Sequence, residues 1–130
     1  MKSKILLYVV FATLLELLGV NSRTYGYGDF PFKLFGLPLV IPLLWILVGY
    51  LSHILYCKDG VKGVALLPLV DLFVLEPTAY YLNLWRWTTP LSLLIVPFGT
   101  VANVLIWSGL SFLGVYAFRH SFSIWGDNFR

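Results

Sequence analysis

The sequence predicts an all-α membrane protein: one bundle of about four transmembrane helices whose polar faces turn inward. Three observations predict it. Of 130 residues, 59% are hydrophobic and only 12% are charged, where a soluble domain carries roughly a quarter charged residues. Mean hydropathy is +0.85. Four apolar runs, about 4–19, 34–57, 61–84 and 90–118, divide the chain, and each meets or approaches the roughly 20 residues of helix that a bilayer core of about 30 Å requires. Residues 1–130 therefore read as a single transmembrane domain.

The first run follows Met1-Lys2-Ser3-Lys4, a pattern shared with secretory signals. Glu16 interrupts it and no small-x-small cleavage site follows, so it reads as a retained first helix with Glu16 in its last turns. The segment Asn21–Lys33 is dense in glycine, proline and aromatic residues (Tyr25-Gly26-Tyr27-Gly28-Asp29-Phe30-Pro31), which marks turns. Its tyrosines suit a membrane interface and equally suit a roof folded back over a cavity.

The second helix contains Pro38 and Pro42, which are expected to bend its outer half. Pro38, Pro42, Trp45, Gly49, Ser52 and Tyr56 fall on one stripe opposite Leu, Ile and Val, so the stripe is expected to face the bundle. The third helix holds Asp71 near mid-membrane and Glu76 about 7 Å further along the axis, about 140° away in an ideal helix. Pro77 removes a backbone donor beside Glu76, and a local distortion there changes that angle. On ideal geometry Glu76, Tyr80 and Asn83 share a face, and Asp71 aligns with Thr78. After the turn Trp85-Arg86-Trp87-Thr88-Thr89-Pro90, the fourth helix repeats the polar stripe with Thr100, Asn103, Trp107, Ser111 and Gly114.

Composition excludes several classes. Cys57 is the one cysteine, so no intrachain disulfide forms. His53 and His120 are far apart, and no metal site is expected. A net charge of +3 spread over loops lacks the dense basic patch of a nucleic-acid binder. With four spans, Lys2, Lys4, Lys58, Lys62, Arg119 and Arg130 lie on one side and Arg23, Lys33 and Arg86 on the other, which predicts cytoplasmic termini.

Chemistry is expected where the membrane penalises charge. A carboxylate at the bilayer centre costs about 2.5–3.5 kcal/mol on insertion scales, and Glu16, Asp71 and Glu76 all lie within apolar runs. They either tie the bundle together or carry protons in a buried pocket. A protonated acid beside a second carboxylate is a donor with a base at hand. Trp45, Trp85, Trp87, Tyr25, Tyr27, Tyr80 and Tyr81 lie near the same depth. Their ring faces stabilise a cation, although tryptophan and tyrosine also form ordinary interfacial belts. Acids and rings in an apolar chamber suit protonation of an alkene to a tertiary carbocation. Asn103 either orients water or a carboxylate or bridges helices; Arg86 reads as a snorkelling anchor.

Three blocks carry a resemblance to a known group. They are Glu16-Leu17-Leu18-Gly19-Val20 with Tyr25-Gly26-Tyr27; Phe35 to Trp45 with its Pro38, Pro42 and Trp45; and Asp71-Leu72-Phe73-Val74-Leu75-Glu76-Pro77 with Leu84-Trp85-Arg86-Trp87, Val96-Pro97 and Asn103. Together they resemble the membrane carotenoid biosynthesis proteins that include bisanhydrobacterioruberin hydratase and carotenoid 1,2-hydratase, most of which are longer and carry extra helices. The resemblance implies a lyase that adds water to the terminal double bond of an acyclic carotenoid, with no cofactor and no metal. It implies Asp71 or Glu76 as general acid and Glu16 assisting water or a proton relay. Trp45, Tyr25, Tyr27, Tyr80, Trp85, Trp87 and Asn103 are the expected substrate contacts.

The expected surroundings are the plasma membrane and its lipid, a lipid-soluble carotenoid, and either a second copy or other enzymes of carotenoid biosynthesis. Alternatives are a subunit like the small heterodimeric lycopene cyclases, a proton-coupled four-helix exporter using Glu16, and an inactive subunit supporting a larger carotenoid enzyme.

Overall fold

The computed structural model describes residues 2–22, 25–87, 94–96 and 99–121, the side chains of residues 2, 94–96, 99–102, 120 and 121 excepted. The chain is mostly helical. Helix α1 spans Lys2–Asn21 and α2 spans Val40–Asp59. A third rod is built from α3 (Val61–Val70), a π turn (Asp71–Leu75) and α4 (Glu76–Tyr81). Helix α5 covers Val101–Ser121. Among the described residues, Ser3–Asn21, Val40–Asp59 and Val61–Tyr81 are long and apolar enough to cross a membrane.

Between the helices lie short antiparallel pairs. Strand β1 (Tyr25–Tyr27) pairs with β4 (Trp85–Trp87), β2 (Lys33–Leu34) with β3 (Leu37–Pro38), and β5 (Leu94–Val96) with β6 (Gly99–Thr100). The β2–β3 pair corrects the expected start of the second helix at residue 34. Phe35 and Gly36 both take positive φ, 52° and 81°, and form the two-residue turn whose twist matches a tight hairpin. The helix begins only at Val40. Pro42 then stands in its first turn, where backbone N–H groups have no helical partner, so it costs α2 no hydrogen bond. Pro38 lies buried in β3, outside the helix.

The expected fourth helix, 90–118, is also displaced: β5 and β6 occupy 94–96 and 99–100, and helix begins at Val101. Residues 88–93, 97–98 and 122–130 lie outside the described residues.

α2 and α3 form a hairpin through Gly60, whose φ of 67° turns the chain in one residue. Its N–H closes on the Tyr56 carbonyl at 2.8 Å. α5 lies chiefly along α2 and also packs on α1 and α3. Glycine permits the closest approach: a Cβ on Gly114 would stand 2.6 Å from the Gly49 Cα. Tyr8, Ala12, Ile41, Trp45, Leu110, Ala117 and Phe118 fill the core around this crossing, and the Tyr8 hydroxyl donates to the Trp45 carbonyl at 2.9 Å. The expected inward stripes hold for Trp45, Gly49 and Ser52 on α2 and for Asn103 and Ser111 on α5. The outer faces carry exposed leucines throughout.

Candidate active site

The three acids converge on one cavity. Glu16, Asp71 and Glu76 are 8%, 0% and 3% exposed. All three line a mostly apolar space of about 370 Å³ together with Tyr25, Tyr27, Trp45, Trp85, Trp87, Asn103 and Trp107. That volume lies in the lower part of the range for small-molecule sites.

A β-ribbon made of two aromatic triplets roofs this space. The register places Tyr25 opposite Trp87, Gly26 opposite Arg86 and Tyr27 opposite Trp85. Side chains alternate across a strand, so four rings share one face and Gly26 and Arg86 share the other. The rings pack in cross-strand pairs, with centroids 4.9 Å apart for Tyr25 and Trp87 and 6.1 Å for Tyr27 and Trp85. Gly28 continues the ribbon by donating to the Leu84 carbonyl at 2.8 Å. A Cβ there would stand 2.0 Å from the Asn83 carbonyl oxygen, which requires glycine.

Each ring of the ribbon sends its polar tip to a carboxylate. Tyr25 and Tyr27 donate to Glu16 Oε2, the latter at 2.8 Å, and Trp45 Nε1 donates to Glu16 Oε1 at 2.8 Å. Trp85 and Trp87 both donate through Nε1 to Glu76 Oε2, at 2.7 and 2.9 Å. These donors are the partners that make buried carboxylates tolerable. The phenols of Tyr25 and Tyr27 are in turn pushed well above the usual tyrosine range, first by burial and then by the Glu16 carboxylate.

Asp71 is held differently. The Asn103 amide donates to Asp71 Oδ2 at 2.5 Å. Asp71 Oδ1 is buried and receives no donor from the described residues. The Asp71 and Glu76 carboxyl groups line the same cavity. Two ionised carboxylates in one apolar space repel, a repulsion that a proton on one of them removes.

The ideal-helix expectation of about 140° between Asp71 and Glu76 is overturned by the π turn. The Glu76 N–H bonds the Asp71 carbonyl, five residues back, and i→i+5 bonding puts these two residues on one face. Pro77 supplies the reason: a proline ring clashes with the carbonyl four residues before it, here Phe73, and the wider turn removes the clash. Thr78, expected to align with Asp71, is instead exposed and bonds the Val74 carbonyl at 2.7 Å.

Of the substrate contacts expected from sequence, Trp45, Tyr25, Tyr27, Trp85, Trp87 and Asn103 all line the cavity. Tyr80 does not. It is 40% exposed, packs on Tyr81, and carries the Arg86 guanidinium over its ring at 4.9 Å. Glu76 and Tyr80 stand one turn apart on α4, yet the Glu76 carboxylate reaches in to Trp85 and Trp87 while the Tyr80 ring lies outward. Trp107, absent from the expected contacts, lines the cavity with its ring 5.0 Å from that of Trp45. Its place on the Asn103–Ser111 stripe was the available signal. His53 is buried on α2. The side chain of His120 lies outside the described residues.

Comparison with protein-family models, curated proteins and solved structures gives no match for this chain.

Proposed function

We propose that this chain is a membrane lyase that adds water to the terminal double bond of an acyclic carotenoid or a closely similar isoprenoid chain. The observation that carries this reading is the meeting of Glu16, Asp71 and Glu76 around one apolar, ring-lined cavity. The resemblance of the Glu16, Phe35–Trp45 and Asp71–Trp87 blocks to the carotenoid hydratases supports it independently.

The Asp71–Glu76 pair delivers its single proton to the less substituted carbon of the alkene. The π electrons form the new C–H bond and leave a tertiary carbocation. Trp45, Trp85, Trp87 and Trp107 present π systems that stabilise such a cation electrostatically. A water molecule bonds to the cationic carbon, and its surplus proton passes to a carboxylate and back to the pair. Substrate plus water gives a tertiary alcohol, with the enzyme's protons restored. Glu16, clamped by three donors, is a fixed negative charge facing the cation and orients the attacking water. In this reading α5 is the fourth span, the protein sits in the plasma membrane and both termini are cytoplasmic.

The test is expression in cells that accumulate an acyclic carotenoid, with pigment masses compared before and after. A product heavier by one water supports hydration. An isomer of unchanged mass converts the proposal to cyclisation on the same acids. No new pigment in cells where the protein is folded and membrane-bound removes it.

A further inference from the structure

We infer that the cavity is loaded sideways from the bilayer, through a slot between α2 and the rod of α3 and the π turn, by a slender hydrocarbon chain without a headgroup that arrives tip first. The chemical identity of that chain rests on the function proposed above; the route and the shape selection are additional.

The slot follows from how the helical hairpin opens. Near the Gly60 turn α2 packs along α3, whereas the π turn and α4 are held mainly by α3, α5 and β4. Both arms contribute to the cavity wall above the turn. Leu44, Leu47 and Leu51 on α2 and Val70 and Leu75 on the rod all line the cavity, yet they are 43%, 51%, 39%, 45% and 38% exposed. They are therefore its rim. The three leucines, spaced by three and four residues, form one helical stripe on a segment long and apolar enough to span a membrane. A rim in that position opens on hydrocarbon.

The polar groups are distributed so as to select the occupant. Glu16, Asp71, Glu76 and Asn103 are all more than nine-tenths buried, while the rim residues are apolar. A polar molecule crossing the rim loses its hydration with no hydrogen bond in return, while an apolar chain crosses from one hydrocarbon to another. Neighbouring helices lie about 8–10 Å apart at contact, so a gap where two begin to separate admits a single chain and rejects a ring-ended or headgroup-bearing molecule. The tip of the chain meets the acids; the remainder trails through the slot into lipid.

The experiment uses the full chain in phosphatidylcholine vesicles containing lycopene, an achiral, headgroup-free acyclic polyene that shows visible circular dichroism only when a chiral site holds it. Wild type and Asp71→Asn are expected to induce the band, since the latter removes a proton carrier and leaves the slot intact. Leu47→Trp and Leu51→Trp, which fill the rim, are expected to lose most of it. Leu47→Ala, which opens the rim, and Leu43→Trp, on a lipid-facing position outside the cavity lining, are expected to keep it. Far-ultraviolet dichroism and a monodisperse elution profile establish that each variant is folded. An undiminished band in both rim-filling variants overturns the slot, as does its absence from wild type. Pigment mass from cells reads the reaction separately: hydrated product with an unaffected rim leaves the function standing without the route. The expected binding pattern without hydrated product leaves the route standing without the function.

Discussion

Asp71 and Glu76, five residues apart on one rod, face the same cavity because the Glu76 N–H closes on the Asp71 carbonyl and winds one π turn between them. The distortion traces to Pro77, so the placement of the two acids depends on a residue outside the cavity lining. Pro77→Ala permits an ordinary α-helix, which turns the two carboxyls apart. Activity is expected to fall by about a hundredfold, the scale that misplacement by about 1 Å produces. Helical dichroism of the purified variant is expected to be unchanged; full activity would falsify the dependence on the π turn.

On the proposed mechanism the two acids share one proton and act as a unit. Asp71→Asn and Glu76→Gln are each expected to lower turnover by about 10²–10⁴-fold, the usual worth of a positioned proton donor. The double variant is expected to be little worse than either single one, since removing one member already disables the pair. Additive losses measured on pigment formation would mean that the acids work separately.

Gly19 and Gly26 give a matched test of the roof. A Cβ on Gly19 would stand 2.3 Å from the Tyr25 ring, whereas one on Gly26 meets nothing within 4 Å. Gly19→Ala is expected to push Tyr25 off Glu16 and to reduce activity at least several-fold, with Gly26→Ala close to wild type. The kinetics of the two purified proteins, measured side by side, decide it. Equal behaviour would show that the Tyr25 contact has no bearing on the reaction.

Alkaline pH provides a stability test with a definite sign. Tyr25 and Tyr27 titrate above the ordinary tyrosine value of about 10. Above that pH the unfolded chain releases phenolic protons that the folded protein keeps, so the unfolded state binds fewer protons and stability falls as pH rises. Below about pH 10 their contribution is constant. Thermal unfolding in detergent is expected to show a falling Tm from about pH 10 upward, with a shallower fall in Tyr25→Phe. An identical alkaline slope in that variant would assign the loss to other groups.

Gly114 and Gly109 separate close packing from helix propensity. A methyl on Gly114 would meet backbone, the Gly49 Cα at 2.6 Å, while one on Gly109 meets open space. Gly114→Ala is expected to destabilise by about 1–3 kcal/mol through overpacking. Gly109→Ala is expected to stabilise by roughly 0.5–1 kcal/mol as a helix interior loses a glycine. Unfolding midpoints of the two variants check both signs.

The helical rods and the inward stripes were legible because hydropathy and the 3.6-residue period act locally: Trp45, Gly49 and Ser52 could be placed on one face without coordinates. The apolar runs that hold the three acids were legible for the same reason. Their meeting was not, because it depends on a π turn between Asp71 and Glu76. Residues 33–38 misled through their apolar composition, which suits a membrane helix as well as a hairpin; the positive φ at Phe35 is a tertiary outcome. The ribbon did leave a local sign. Tyr25-Gly26-Tyr27 and Trp85-Arg86-Trp87 each alternate with period two, the period of a strand, but pairing over some sixty residues cannot be inferred from either triplet alone.

The direction of synthesis has a consequence for the donor pairs. Glu16 precedes its partners by 9, 11 and 29 residues, Glu76 precedes its indoles by 9 and 11, and Asp71 precedes Asn103 by 32. Each of these donors thus leaves the ribosome after the acid it binds. A carboxylate within lipid is costly until such donors reach it. A nascent chain halted ahead of Trp85 contains all three carboxyls and lacks the β4 half of the ribbon, which makes closure of that ribbon the event that completes the site.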